Sequence, residues 1–322
     1  MLIDAHHHLW PASAEGFHAT GYMPDDYAAD TARLDVQASV FVECLTQYDT
    51  SLPPPLRSVG ETRFVASVAA GRTIAGIQLC AAIVANANPF ADMDFGAILD
   101  AHEAVAAGRL RGIRRCAAWD ADPAFNHASL ETSAGMLADP RYVAALRELA
   151  ERGLVFDTWV YHPQIGEVAA LARSAPDCAV VLDHAGTPLG TGAHADLART
   201  EAIWRDGIAR AAEVPNLFVK IGGFATPHTA VDAIRVARGL DRWTVPALAE
   251  ALGPWLDHLL GCFGPERCLF ESNFPVDRMT CDFATLLAAY RRTLDGLDAR
   301  DQERVFGGNA ASLYRIDLPA AA

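Results

Sequence analysis

The chain has 322 residues, of which 51% are hydrophobic and 20% charged, and its formal net charge is −14. This composition excludes an intrinsically disordered protein, and the negative charge disfavours nucleic-acid and anionic-membrane partners. No apolar run approaches the roughly 20 residues that a membrane-spanning helix needs. The seven cysteines are odd in number and include no CxxC pair. We therefore expect free thiols and a cytoplasmic globular protein.

Short apolar runs predict eight strands along the chain. They are continuous rather than alternating, as expected for parallel strands that are buried on both faces. In chain order they are Leu2–Asp4, Ser39–Val42, Gly76–Ile83, Leu110–Arg114, Leu154–Trp159, Ala179–Asp183, Leu217–Ile221 and Cys268–Phe270.

Amphipathic segments between these runs predict helices. They are Thr62–Ala70, Phe95–Ala107, Tyr142–Arg152, Gln164–Arg173, Ala202–Ala212, Val245–Leu260 and Phe283–Leu294. Eight strands alternating with helices favour a (β/α)₈ TIM barrel over residues 1–322, in one domain. The competing architecture is an open doubly wound sheet. That fold usually places a glycine-rich phosphate turn after its first strand, whereas histidines follow the first strand here.

Three consecutive histidines follow the first predicted strand. Alternate side chains of an extended chain share a face, so His6 and His8 should point into the barrel mouth and His7 away from it. Two imidazoles on one face suit a divalent metal or the polarisation of a carbonyl oxygen. The alternative is a histidine-rich segment without a role. His184 directly follows the predicted sixth strand, at the rim where barrel catalytic residues collect, although a histidine satisfied within the core is the competing interpretation.

Charged and polar side chains also lie at the ends of other predicted strands. Glu43 follows the second strand, and Arg114 ends the fourth with a fork of donors suited to a carboxylate. Lys220, the only lysine of the chain, ends the seventh. After the fifth strand come a hydroxyl, an imidazole and an amide that could contact a substrate, from Tyr161, His162 and Gln164. Nearby tryptophans could line a pocket or belong to the core: Trp10, Trp119 and Trp159.

Several ordered motifs resemble the amidohydrolase superfamily, in the branch that includes lactonases of pyrone dicarboxylates and of sugar acids. They run from Ile3 to Tyr314: Ile-Asp-x-His-x-His at 3–8, Gly-Ile-Arg at 112–114, Tyr-His-Pro-Gln at 161–164, Asp-His-x-Gly at 183–186, Val-Lys-Ile-Gly-Gly at 219–223, Phe-x-Ser-Asn-Phe-Pro at 270–275 and Asn-Ala-x-x-Leu-Tyr at 309–314. The resemblance implies a distorted barrel that opens cyclic esters or amides by water attack on a carbonyl.

The resemblance also implies roles for individual residues. His6, His8 and His184 would hold one zinc or manganese ion, or would polarise the carbonyl directly if no metal is used. Two metals are not expected, because the fourth strand offers Arg114 and Arg115 where binuclear relatives carry a bridging lysine or glutamate. The substrate would contact Arg114, Tyr161, His162, Gln164 and Lys220.

The sequence departs from the family pattern at Asn273. Many relatives carry an aspartate there that takes the proton from the attacking water, and an amide cannot act as a base. Asp277 and Glu43 are the nearby alternatives. Asp277 could instead cap a helix, and Glu43 could pair with Arg114. Asn273 could still hold a metal or a substrate oxygen.

Three functions are consistent with these patterns. The first is a hydrolase that opens a lactone bearing a carboxylate or several hydroxyl groups. The second is a metal-dependent, non-oxidative decarboxylase of the same superfamily, and the third is a barrel that binds a ligand without catalysis. All three have a small-molecule partner and no nucleic-acid or membrane partner. The sequence leaves open whether the protein is a homodimer.

Overall fold

The computed structural model describes residues 1–13, 18–70, 73–74 and 76–318. Eight parallel strands form a nearly closed barrel, so the predicted α/β barrel is confirmed. In chain order the barrel strands are β1 (Ile3–His7), β2 (Ala38–Val42), β4 (Ile77–Ala85), β5 (Leu110–Cys116), β6 (Val155–Trp159), β7 (Val180–Leu182), β8 (Leu217–Lys220) and β9 (Cys268–Leu269), while the two-residue β3 (Thr73–Ile74) pairs antiparallel with β4.

Helices separate most of the strands. Their bounds are α1 (Pro24–Asp30), α2 (Val59–Ala69), α3 (Phe95–Val105), α4 (Pro140–Glu151), α5 (Ile165–Ser174), α6 (Leu197–Ala212), α7 (Ala230–Ala237), α8 (Val245–Phe263), α9 (Phe283–Thr293), α10 (Ala299–Glu303) and α11 (Asn309–Leu313). The sequence did not predict α1, α7, α10 or α11. All four have eight residues or fewer, which is too short for a clear helical period.

Backbone hydrogen bonds close the barrel between its first and last strands. The Ala5 amide donates to the Phe270 carbonyl at 3.1 Å, and the Asn273 amide donates to the His6 carbonyl at 2.9 Å. A further bond runs from the His8 amide to the Phe274 carbonyl at 2.8 Å. The histidine segment and the loop after β9 are therefore held side by side.

The alternation of side chains divides the core into an outer and an inner part. Outward residues such as Phe41 and Phe156 pack with the helices. Inward residues such as Val40, Val84 and Val181 pack together inside the barrel. This inner cluster is apolar and forms the floor on which the polar residues of the barrel lie.

An irregularity in β1 changes which face its side chains occupy. Ile3 and Ala5 belong to the inner cluster, and strict alternation would then turn His6 outward. The register between β1 and β2 shifts between Asp4 and His7. Beyond this shift His6 and His8 lie together, whereas His7 packs against Tyr27 at 4.4 Å between ring centroids. The predicted pairing of His6 with His8 is confirmed, but a local irregularity produces it.

The C-terminal segment closes the floor of the barrel. Tyr314 follows α11, is fully buried and packs in the inner cluster. Its hydroxyl donates to Asp157 Oδ2 at 2.8 Å, and Lys220 Nζ contacts the same oxygen at 2.6 Å. A charged layer therefore lies directly above the apolar floor.

In the described ranges, no helix is both long and apolar enough to cross a membrane.

The bond from Tyr314 to Asp157 should contribute measurably to stability. We expect Tyr314→Phe to lower the free energy of unfolding by about 1–2 kcal/mol, because a hydrogen bond to a buried charged group is lost. Tyr48→Phe is a matched control, since the buried Tyr48 hydroxyl has no hydrogen-bond partner among the described residues. Urea unfolding of both variants should shift the midpoint only for Tyr314→Phe. Equal midpoints would show that the Tyr314 hydroxyl is dispensable.

Candidate active site

Glu271 joins two histidines at the mouth of the barrel. It lies two residues after β9 and is fully buried. Its Oε1 is 2.8 Å from His184 Nδ1, and its Oε2 is 3.1 Å from His6 Nδ1. Burial raises the pKa of Glu271, but the two histidines outweigh this effect and lower the pKa to about 2. Glu271 is therefore an ionised carboxylate that orients both rings.

Two glycines make room for this arrangement. A Cβ on Gly222 would lie 2.2 Å from Glu271 Cγ. Gly223 has a φ of +69°, and a Cβ there would lie 2.6 Å from His184 Cβ. The Gly222 amide also donates to Glu271 Oε1 at 3.2 Å. The Gly-Gly pair after β8 thus allows the backbone to approach the His184–Glu271 pair closely.

The hydrogen-bond partners of His8 and His184 fix the tautomers of these two rings. His8 Nδ1 donates to the Val42 carbonyl at 2.8 Å, and His184 Nδ1 donates to Glu271, which leaves the Nε2 lone pairs free. Burial lowers the pKa of His6, and it lowers that of His8 well below its usual range. His6 Nε2 and His8 Nε2 lie 3.3 Å apart. Neutral imidazoles with free nitrogen lone pairs are metal ligands.

A buried ion-pair network lies beneath the histidines. Lys220 Nζ is 2.6 Å from Asp157 Oδ2, 3.0 Å from Asp183 Oδ1 and 3.2 Å from His6 Nδ1. Burial disfavours the charged ammonium, but the neighbouring carboxylates outweigh it and raise the pKa of Lys220. Lys220 is therefore a fixed cation that supports the site from below and is shielded from the mouth.

Arg114 is held by two carboxylates. Its NH1 donates to Glu43 Oε1 at 3.2 Å, and its Nε lies 3.2 Å from Asp183 Oδ2. Burial opposes the charge of the guanidinium, but Glu43 and Asp183 outweigh this effect and raise its pKa. The Asn86 amide also approaches Glu43, at 3.4 Å from Oε2. The pairing of Glu43 with Arg114 thus forms in the structure.

Asp277 lies beside Asn273 in the loop after β9. Asn273 Nδ2 donates to Asp277 Oδ1 at 2.9 Å, and the Thr226 hydroxyl donates to the same oxygen at 2.6 Å. Asp277 Oδ2 is buried and has no hydrogen-bond partner among the described residues. Burial raises the pKa of Asp277 to about 7, against the opposing effects of Thr226 and His184. Asp277 therefore combines a near-neutral pKa with one unpaired oxygen.

The three polar residues after β6 are buried. The Tyr161 hydroxyl donates to the Phe125 carbonyl at 2.6 Å, and the Gln164 side chain bonds to backbone groups of residues 117, 119 and 161. His162 is 1% exposed. Like Lys220, these residues lie buried behind the side chains of the mouth. Their predicted contact with a substrate stays a prediction.

Among the described residues, one group of three side chains has the spacing of a metal site. The ligand atoms of His6, His184 and Glu271 all lie within 4.8 Å of one another. Two imidazoles and a carboxylate suit a zinc-like ion. His8 lies outside this group, but its Nε2 is 3.3 Å from the Nε2 of His6, which belongs to it.

The sequence profile of the amidohydrolase family matches residues 3–316. The chain belongs to the amidohydrolase family. A hydrolase on a barrel scaffold, as the motifs predicted, is thereby confirmed. This amidohydrolase is 29% identical over 338 residues to an L-fucono-1,5-lactonase from Burkholderia ambifaria, covering 99% of this chain and 97% of that protein.

Solved structures share the architecture. A Burkholderia multivorans amidohydrolase with bound zinc has a TM-score of 0.76 and 23% identity, covering 98% of this chain and 100% of that one. A Pseudomonas putida protein named after 2-pyrone-4,6-dicarboxylic acid hydrolysis has a TM-score of 0.66 and 15% identity, covering 99% of this chain and 98% of that one. At these identities the likeness concerns the fold.

Sequence analysis did not assign roles to three buried carboxylates of the amidohydrolase site: Glu271, Asp183 and Asp157. Asp183 and Glu271 stand inside the motifs, one residue before His184 and two before Asn273. Their positions directly after strands were the available signal. Asp157 lies inside β6 with no such signal, although an inward carboxylate in an apolar strand requires a buried cation.

The space around Glu271 can be tested by filling it. We expect Gly222→Ala to destabilise the amidohydrolase by about 1–3 kcal/mol, because the added methyl group overpacks the site. Gly261→Ala is the control, since a Cβ at this exposed position within α8 meets no atom within 4 Å. Alanine there should be neutral or stabilising, by up to about 1 kcal/mol. Thermal unfolding measures both, and a Gly222→Ala variant as stable as the wild type would mean that Glu271 can move freely.

Proposed function

We propose that this amidohydrolase is a lactonase, which opens a cyclic ester by attack of water on its carbonyl carbon. The observation that carries the proposal is the convergence of His6, His184 and Glu271 at the barrel mouth, with His8 3.3 Å from His6. Such a group can hold a divalent cation, which would stabilise the negative charge that develops on the carbonyl oxygen. The L-fucono-1,5-lactonase relative, aligned over nearly the whole chain, supports the same chemistry.

The proposed metal ligands are His6, His184 and Glu271. This set differs from the predicted one in a single member, because Glu271 takes the place of His8. A divalent ion there would act as a Lewis acid toward the lactone carbonyl and the water. His8, whose Nε2 lone pair lies next to His6, is then free to accept a hydrogen bond from the attacking water. The zinc in the Burkholderia multivorans structure makes zinc the first ion to test.

Asp277 is the proposed proton acceptor for the attacking water. Of the two alternatives, Glu43 is engaged by Arg114 and Asn86. Asp277 instead keeps Oδ2 unpaired, and its pKa of about 7 suits proton transfer near neutral pH. Asn273 and Thr226 hold the other oxygen and fix the carboxyl plane. Asn273 is then a positioning residue, since its amide cannot accept the proton.

The proposed substrate is uncharged near the reacting carbonyl. Arg114 was expected to bind a substrate carboxylate, but its guanidinium is already paired with Glu43 and Asp183. Lys220 is buried beneath the site. A lactone with several hydroxyl groups therefore fits better than a carboxylated one, because a carboxylate would have to displace a buried ion pair.

Metal content and chelation test the ligand set. We expect the purified protein to hold about one equivalent of divalent metal and to lose lactonase activity with dipicolinate. Glu271→Ala should lose the metal, whereas His8→Ala should retain it while activity falls at least tenfold. Elemental mass spectrometry and an aldonolactone assay measure both. If the wild type opens lactones without bound metal, the histidines polarise the carbonyl directly. If the protein instead releases carbon dioxide from an aromatic acid, it is a decarboxylase and the lactonase proposal is wrong.

The pH dependence of the reaction tests Asp277. The base must be ionised, so kcat/KM should reach a plateau above the pKa of about 7 and fall tenfold per pH unit below about pH 6. Asp277→Asn should reduce kcat by about 10²–10⁴-fold and remove this dependence. Asp295→Asn, at an exposed position, is the control. A wild-type pH profile retained in Asp277→Asn would assign the base to another group.

A further inference from the structure

A second group of side chains lies at the mouth, apart from the metal ligands and Asp277. It comprises His194 from the loop between β7 and α6, Asp120 from the loop after β5, and Trp159 at the end of β6. All three lie at the carboxyl ends of strands, which is the side of the barrel where His184 lies.

His194 is oriented by a carboxylate. Its Nε2 lies 2.8 Å from Asp120 Oδ2, and the two side chains are only 17% and 10% exposed. Because a carboxylate only accepts hydrogen bonds, His194 donates from Nε2, and Nδ1 is the ring nitrogen left for a ligand. Nδ1 has no hydrogen-bond partner among the described residues. With 17% of the His194 side chain exposed, the ring can be reached from solvent.

His162 supports this ring from behind. The two ring centroids are 5.0 Å apart in a T-shaped contact. Burial, together with the neighbouring His194, lowers the pKa of His162 to about 4, so it stays neutral. Since His162 is 1% exposed, the imidazole that can meet a ligand in this region is that of His194.

An aromatic wall connects His194 to the reacting centre. The Trp159 ring is partly exposed, and its centroid is 6.3 Å from that of His184. Its Nε1 donates to the Thr187 hydroxyl at 2.8 Å, which fixes the plane of the ring. Tyr161 and Phe125 continue the wall to His194, with successive centroids 5.6, 6.1 and 5.5 Å apart.

We propose that Trp159, His194 and Asp120 form a distal substrate subsite that binds the hydroxyl-bearing part of a neutral lactone. This rests on the lactonase function proposed above. The apolar C–H face of a polyhydroxylated ring or chain packs on Trp159, and a substrate hydroxyl donates to His194 Nδ1. The Asp120 carboxylate disfavours an anionic group at this end, because like charges repel in a partly buried site.

The test compares two six-membered lactones that differ in hydroxyl groups, D-glucono-1,5-lactone and δ-valerolactone. We expect the wild type to favour the first by at least 100-fold in kcat/KM. His194→Ala should raise KM for the hydroxylated lactone about tenfold, the effect of one lost hydrogen bond, and should change valerolactone hydrolysis less than twofold. His127→Ala, an exposed histidine on the loop that carries Asp120, is the matched control.

Two conservative variants identify the binding atom. The amide oxygen of His194→Asn occupies the place of Nδ1, so this variant should recover part of the lost affinity. His194→Gln places its amide near Nε2 and should not. Equal losses on both lactones would indicate a structural role for His194 and overturn the subsite, as would an unchanged KM.

A binding measurement separates failure of the subsite from failure of the lactonase proposal. Calorimetry would use D-glucono-1,5-lactam, a neutral analogue that resists hydrolysis. If the wild type opens neither lactone but binds the lactam and His194→Ala does not, the subsite stands and the lactonase proposal fails. If wild type and His194→Ala bind the lactam equally, the subsite is rejected whatever the activity.

Discussion

The buried ammonium of Lys220 is the charge on which the interior of this barrel depends. A cation without water must be compensated, and Asp157 and Asp183 supply the compensation from β6 and from the end of β7. Asp183 in turn pairs with Arg114 on β5, so one network spans four adjacent strands. The His6 ring rests on this network through Nδ1. The position of the first histidine is therefore determined by charges below it as well as by Glu271 beside it.

Backbone constraints determine the rest of the site. The shift in register between Asp4 and His7 brings His6 inward, although the residue before it also faces the interior. Gly222 and Gly223 let β8 approach Glu271 and His184 closely. Asp4 accepts bonds from the Ser272 amide and hydroxyl at 2.8 and 2.6 Å, which fixes the loop after β9 against β1. The candidate metal ligands are thus held by strand ends, which are the rigid parts of the fold.

The sequence predicted the barrel well because its signals were local. Continuous apolar runs marked the strands, and the positions of His6, His8 and His184 at their ends marked the mouth. The partners of these residues, in contrast, come from distant parts of the sequence and could not be predicted from it. Nothing near Arg114 in the sequence indicates that Asp183 would occupy its guanidinium. Likewise, the bridge from Glu271 to His6 joins positions 265 residues apart and depends on closure of the barrel.

The residues that hold the site together lie far apart in the sequence, and this separation affects how the barrel folds. Asp4 and Ser272 lie 268 positions apart, and Tyr314, which seals the charged layer, lies 157 positions after Asp157. Contacts of such high sequence separation form late, because a long loop must be ordered before they contribute. During synthesis on the ribosome, His6 and Lys220 emerge well before Tyr314. Until β9 and α11 are in place, the barrel exposes the histidines and the edge of β1, and an unpaired strand edge favours aggregation.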